Sequence, residues 1–329
     1  MFFSKLLELL VSPDLWHATL EFGALLLLPA LGGVISENSG VVNIAMEGMM
    51  LTGAFFGAII SVDTHSFLWG TLAAIIAGGA MSWVHAYFSI RFKANQIVSG
   101  IAINIAATGL TGFLLFTLTN GAGVSALPQN ETLPSLGIRI FNNVPVIGWI
   151  DTVLLQQNIV FYLAIAALIA IQYLLYRTNI GLRIRSVGEH PQAADTAGIN
   201  VQRIRYWCVV TSGLLSGLAG AYLSLGIAQI FNPNMTAGRG FIALAAVVFG
   251  KWKPRGTAIA CLIFGLGQAL QNRLQLLPTT GVGVIDTPLH SVPLVSMIPY
   301  LLTILALVGL VGRAVAPAAD GFPYEPGGE

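Results

Sequence analysis

Glu47 is the one carboxylate in the apolar run 44–62, and it follows a polar, glycine-bearing stretch, Ser36-Glu37-Asn38-Ser39-Gly40-Val41-Val42-Asn43. Inside hydrocarbon an ionisable side chain costs on the order of 2.5–3.5 kcal/mol on insertion scales, so it marks a solute path or gate, or a buried pair within the bundle. Asn38 and Asn43 flank the same interruption, and Asn104 stands midway along the apolar run 97–119, where it faces a cavity or a neighbouring helix. Glu21, in the first apolar run, carries the same cost without a broken backbone beside it. The second half has a counterpart: Phe231-Asn232-Pro233-Asn234-Met235-Thr236-Ala237-Gly238-Arg239-Gly240 leads into an apolar segment, 240–250, too short to cross a bilayer unaided. Interrupted or short apolar segments at corresponding places in two halves point to a transport site near the midplane.

Catalytic constellations are missing. The sequence has no His-Glu-x-x-His pair, no Gly-x-Ser-x-Gly elbow and no Walker-type phosphate loop, and its five histidines are scattered. The chain is therefore expected not to be an enzyme and to hold no metal or cofactor. The stretch 177–205 contains a different kind of site: Pro191 suits a first helical turn and Gly198 the position after a helix end, which predicts a helix of two turns between them. A helix that short needs a docking surface. It is either a capped connector packed on its own bundle or a coupling helix for a cytoplasmic partner, with Glu189, Pro191, Ala194, Asp195 and Gly198 as its candidate residues.

The elements that must position these residues follow from composition. The 329 residues are 55% hydrophobic and only 9% charged, far below the roughly 25% of soluble proteins. So few charges cannot solvate a surface of this size, whereas a lipid-facing surface needs none. The fold class is an all-α, polytopic transmembrane helix bundle of about 8–10 segments with broken or re-entrant helices. Complete spans are expected at 15–35, 44–62, 66–90, 97–119, 159–176, 206–226, 256–272 and 293–312, with 240–250 as a tilted short span or a half-helix. Residues 1–14 form an amphipathic lead-in, 15–313 the membrane domain, and 314–329, rich in Pro, Gly and Ala, a disordered tail. Eleven of the fifteen Lys and Arg fall on one side if every segment crosses, which places the N-terminus outside and the C-terminus in the cytoplasm. Of these, Lys251, Lys253 and Arg255 surround Trp252, a residue type common at lipid headgroups. The net charge of +1 excludes a nucleic-acid partner. Small residues at four-residue spacing, Gly53 and Gly57, Gly213 and Gly217, Ser216 and Gly220, predict close helix packing.

Three motifs, GVVNIAMEGMMLTGAF at 40–55, GEHPQAADTAGIN at 188–200 and MTAGRGFIALAAVVFG at 235–250, resemble the permease subunits of ABC importers for nucleosides and simple sugars, within the group that includes ribose and branched-chain amino-acid permeases. The resemblance covers about residues 15–312. It implies a cytoplasmic ATPase subunit that binds ATP and Mg, a second related permease, an extracytoplasmic solute-binding protein, and residence in a bacterial inner membrane. It also implies that 188–200 contacts the ATPase, although His190 and Gln192 depart from the usual pattern, and that 36–50 is a broken helix beside the path. A nucleoside would then find amide or carboxylate partners in Asn38, Asn43, Glu47 and Asn104, and a stacking face in Phe55, Phe56 or Phe231. The rival expectation is a proton-coupled secondary carrier that uses Glu47 or Glu21 as its relay.

Overall fold

The computed structural model describes residues 8–119, 125–126, 132–135, 137, 149–275, 297, 301 and 314–325. Among these, six helices are long and apolar enough to cross a membrane. The expected span 293–312, most of the 120–158 loop and residues 1–7 lie outside the described residues.

Helix α1 (Pro13–Glu37) starts where Ser12 Oγ accepts from the Leu15 amide at 3.3 Å and Pro13 fills the first turn. Most of its apolar length, 83%, is buried against other helices, so α1 is the axis of the bundle. The chain continues with α2 (Met46–Thr64), α3 (Phe67–Ala86, continued by a π turn over Tyr87–Arg91), α4 (Gln96–Leu118) and α5 (Ile159–Arg177), of which α5 packs broadly on α1. Helices α3, α4 and α5 are only 22–28% buried and turn apolar faces outward, as lipid-facing elements do.

The stretch after α5 holds two helices, α6 (Asn179–Glu189) and α7 (Pro191–Thr196). Helix α7 lies where the Pro191 and Gly198 signals put it, and Gly198 has φ +82°. Helix α6 is not foreseen in the sequence reading, although its buried Gly181, Ile184, Val187 and Gly188 repeat at helical spacing. Helix α8 (Val201–Ala221, continued by a π turn over Tyr222–Ile227) returns through the bundle.

The two-residue strands β1 (Ser125–Ala126) and β2 (Ile230–Phe231) pair antiparallel. Helix α9 (Arg239–Phe249) has 11 residues, about 16 Å, or half a bilayer. It is a half-helix packed on α1 and on α10 (Pro254–Leu274). Helix α10 is long enough to span, but Gln268, Gln271, Asn272 and Arg273 make its last turns polar.

The small residues do what their spacing implies. A Cβ on Gly53 would meet the Gly217 carbonyl oxygen at 2.6 Å, and one on Gly220 would meet the Met50 oxygen at 2.2 Å. Backbones of α2 and α8 therefore touch, which no larger residue permits. Gly220→Ala should lower the thermal midpoint of the purified protein by the equivalent of about 1–3 kcal/mol of overpacking. Gly109→Ala, at a site with nothing within 4 Å, should leave the midpoint unchanged or raise it. Equal effects at the two sites would contradict this packing.

Candidate functional site at the interrupted helix

Between α1 and α2 the chain leaves helical conformation over 38–45, and each exposed backbone group of this elbow needs a partner. The partners come from four helices. Ser36 Oγ donates to Val41 O at 2.7 Å. Gln96 Oε1 accepts from the Val42 amide at 2.7 Å, while His85 Nε2 donates to the Val42 carbonyl at 3.1 Å. Asn43 Oδ1 accepts from the Ala45 amide at 3.1 Å and its Nδ2 donates to Ser212 Oγ at 2.8 Å. Asn104 Oδ1 accepts from the Gly48 amide at 2.8 Å, and its Nδ2 donates to Ile44 O at 3.0 Å. Asn38 Nδ2 donates to Val34 O at 2.7 Å and to Trp252 O at 3.0 Å.

Glu47 joins the two halves. Its oxygens accept from the Gly238 amide at 2.8 Å and the Gly240 amide at 2.6 Å, which caps the N-terminus of α9 with a negative charge where the helix dipole favours one. Gly240 is required by this approach, because a Cβ there would lie 2.4 Å from the Glu47 nitrogen. Arg239, which orientation counting places with the outer cations, is half-buried and close enough to attract Glu47. Phe55 and Phe231 are buried and meet edge to face, with ring centres 5.3 Å apart. The six candidate pathway residues thus lie along the two interruptions, with Asn38, Asn43, Glu47 and Asn104 all hydrogen-bonded to backbone.

A second cluster stands at the far end of α1. Trp252 Nε1 donates to Glu37 Oε2. Arg205, buried near the start of α8, donates from Nε to Ser39 O at 3.1 Å and from Nη1 to Phe322 O at 2.9 Å. The segment 314–325 is accordingly no disordered tail. Ala319 N donates to Gly188 O at 2.8 Å, Lys93 and Glu325 pair at 2.8 Å, and Tyr324 is buried with Val187, Ala194 and Val201. Its composition suggested disorder because its ordering comes from long-range partners rather than from a periodic apolar pattern.

Gly188, next to α7, has no room for a Cβ, which would meet Asn38 O at 2.1 Å. The segment carrying the predicted coupling helix and the elbow are therefore in direct backbone contact. Ala194 faces inward, so the outward surface of α7 is formed instead by Gln192, Ala193, Asp195 and Thr196. Glu189 accepts from the Ala318 amide at 3.3 Å, and Asp195 interacts with Tyr324, so both hold the C-terminal segment. Sequence reasoning missed His85, Gln96, Arg205 and Ser212. The first two were legible as polar residues in or beside apolar runs. Arg205 was counted with the loop cations.

The family described as "branched-chain amino acid transport system / permease component" matches residues 17–307. The chain belongs to that family. This permease is 44% identical over 321 residues to a guanosine ABC transporter permease protein of Bacillus subtilis, covering 93% of this chain and 95% of the relative. It is 38% identical to a putative glucose ABC transporter permease protein of Haloferax volcanii, over 89% and 90% of the two chains. It is 37% identical to a nucleoside ABC transporter permease protein of Lactococcus lactis, over 91% and 92%. No solved structure matches it significantly. The permease is a multi-pass integral membrane protein, and its interruptions fall in the motifs that carried the resemblance.

Glu47→Leu leaves the buried Gly240 amide of the permease without an acceptor, at about 1–3 kcal/mol, and the half-buried Gly238 amide as well. It should lower the thermal midpoint more than Glu47→Gln, which keeps one oxygen acceptor; equal midpoints would show that the bridge carries no stability. Burial pushes Asp320 up to about 7, against the opposing pull of Arg205 and a backbone hydrogen bond at Gly321. A carboxyl raised in the docked state holds its proton there and loses it when released. Docking of 314–325 should therefore weaken as pH rises from about 4 to 7 and then level off. A spin label on Phe322→Cys should become more mobile across that window and lose the dependence with Asp320→Asn. Identical pH profiles with and without Asp320 would contradict the assignment.

Proposed function

We propose that this permease is the membrane-spanning subunit of an ATP-driven importer that carries nucleosides, or chemically related simple sugars, across the bacterial cytoplasmic membrane. The observation that supports this most directly is the similarity, over about nine-tenths of both chains, to permeases named for guanosine and nucleoside transport. ATP and Mg belong to a partner ATPase, which docks on the outward surface of α7. A second related permease completes the path, and an extracytoplasmic binding protein delivers the solute. The 177–205 stretch and the C-terminal segment packed on it face the cytoplasm.

The permease's own residues perform the transmission and the gating. Movement of α7 passes through the Gly188 contact with Asn38 to the elbow, since close-packed backbones transmit displacement rather than absorb it. The elbow in turn carries Asn43 and Glu47. When the α2 and α9 termini separate, the Gly238 and Gly240 amides and the Glu47 carboxylate exchange one another for ribose hydroxyls or water, so no buried polar group is left unpaired on either side of the step. Separation of Phe55 from Phe231 opens a ring face for a base. Nucleotide shifts this equilibrium only by its differential affinity for the two states, which is why the ATPase must grip α7 differently when closed.

The test is uptake of labelled guanosine, ribose and glucose into proteoliposomes that contain the permease with its co-purifying subunits. ATP-dependent guanosine uptake is expected, and Ala193→Arg should abolish both uptake and ATPase co-purification while the permease remains folded. Uptake driven by a proton gradient without ATP would overturn the proposal in favour of a secondary carrier relaying through Glu47 or Glu21.

A further inference from the structure

One basic group of the permease has no role in the scheme above. Lys251, Lys253 and Arg255 edge a cavity of about 520 Å³ between the ends of α5, α9 and α10. The floor of that cavity is apolar, built from Phe249, Ala260, Ile263 and Phe264. A second groove of about 630 Å³ continues from it along α5, sharing Gln172, Tyr176 and Arg255 and adding Arg177, with the exposed Ile169 and Tyr173 on its wall. Helix α5 ends at Arg177 and α10 begins at Pro254, so the cations stand at one level, where these helices leave the apolar region.

Two of these cations stand on a turn with a fixed backbone. Backbone bonds from Lys251 N to Val248 O at 3.0 Å and from Lys253 N to Gly250 O at 3.1 Å fix the turn that carries both lysines. Between them Trp252 is tied to Glu37 and Asn38 at the elbow. Arg185 adds a further positive charge over the Tyr176 ring, 5.1 Å from its centre. Among the described residues no carboxylate pairs with Arg177, Lys251, Lys253 or Arg255.

We propose that this groove binds an anionic phospholipid of the cytoplasmic leaflet, with the headgroup phosphate among Lys251, Lys253 and Arg255 and the acyl chains along the α5 and α10 walls. Loop cations that only set orientation need charge at this level and no cavity. A free phosphate or nucleotide would use the rim and leave the apolar floor open to water. A lipid uses both, because a basic pocket between membrane helices complements an anionic headgroup while the floor takes the chains out of water. The lipid would rest against the turn that anchors Trp252 to the elbow, so its occupancy bears on the rigidity of that anchor.

The experiment is lipid mass spectrometry of the assembled transporter purified from membranes of mixed phosphatidylglycerol and phosphatidylethanolamine, a readout that does not depend on the transported solute. The unmodified complex should retain phosphatidylglycerol in clear excess. The triple variant Lys251→Gln, Lys253→Gln, Arg255→Gln should lower that retention about fivefold or more, as expected for the loss of three interfacial cations. Ile263→Trp, which keeps the charges and fills the floor, should produce the same loss. Retention without preference for the anionic lipid overturns the proposal, and this reading needs no variant to fold. Undiminished retention in the triple variant also overturns it. So does loss in the triple variant alone, which would mean diffuse attraction, and so does displacement by millimolar inorganic phosphate, which would mean a simple anion site.

Discussion

A helix broken inside a membrane leaves backbone amides and carbonyls that lipid cannot satisfy. That constraint organises this permease. The break at 38–45 requires a partner for each turn of its path, and Ser36, His85, Gln96, Asn104 and Ser212, from α1, α3, α4 and α8, form the surrounding frame together with Asn43 of the elbow itself. The second break, before α9, is closed by Glu47, so one carboxylate satisfies the amides of one half-helix while it sits in the first turn of the other helix. Polar side chains costly anywhere else in such a bundle are here the means by which the backbone can stop being helical.

The same economy of contact extends to the far end of α1. Gly188 admits Asn38 to backbone distance, Arg205 holds the Ser39 carbonyl and the Phe322 carbonyl together, and Trp252 reaches both Glu37 and Asn38. The 177–205 stretch, the elbow, the C-terminal segment and the α9–α10 turn thus share one small volume. A displacement of any of them changes the environment of the others, which is what a transporter driven from a separate subunit requires.

Much of this was legible in the sequence because it was written in periodicity and in cost. Apolar runs of spanning length placed α1 to α5 and α8 within a few residues, except that α8 begins at Val201 rather than at 206, while the short run 240–250 left a tilted short span and a half-helix both open. Glu47 and Asn104 were visible as polar groups in apolar surroundings, and Pro191 with Gly198 bracketed α7. What was not legible depends on contacts far apart in the chain. Nothing local distinguishes the buried Arg205 from the loop cations Arg183 and Arg203. Residues 314–325 have a composition that does not order itself and are held by Gly188, Arg205 and Lys93. Helix α6 has a legible apolar stripe, but its two arginines, Arg183 and Arg185, read as orientation signal. Identity of a side chain as a pathway residue is also not the same as its occupation: Asn43 and Asn104 are fully engaged in bracing the elbow.

The account rests on the bridge from Glu47 to Gly238 and Gly240 being a joint that opens during transport and not a permanent cap. Hydrogen exchange of the peptide containing both glycine amides, in the assembled transporter at rest and during ATP turnover with solute, measures this directly. The account predicts slow exchange at rest and clearly faster exchange during turnover, with Glu47→Leu fast in both. Equally slow exchange at rest and during turnover would contradict it and leave Glu47 as a structural cap alone.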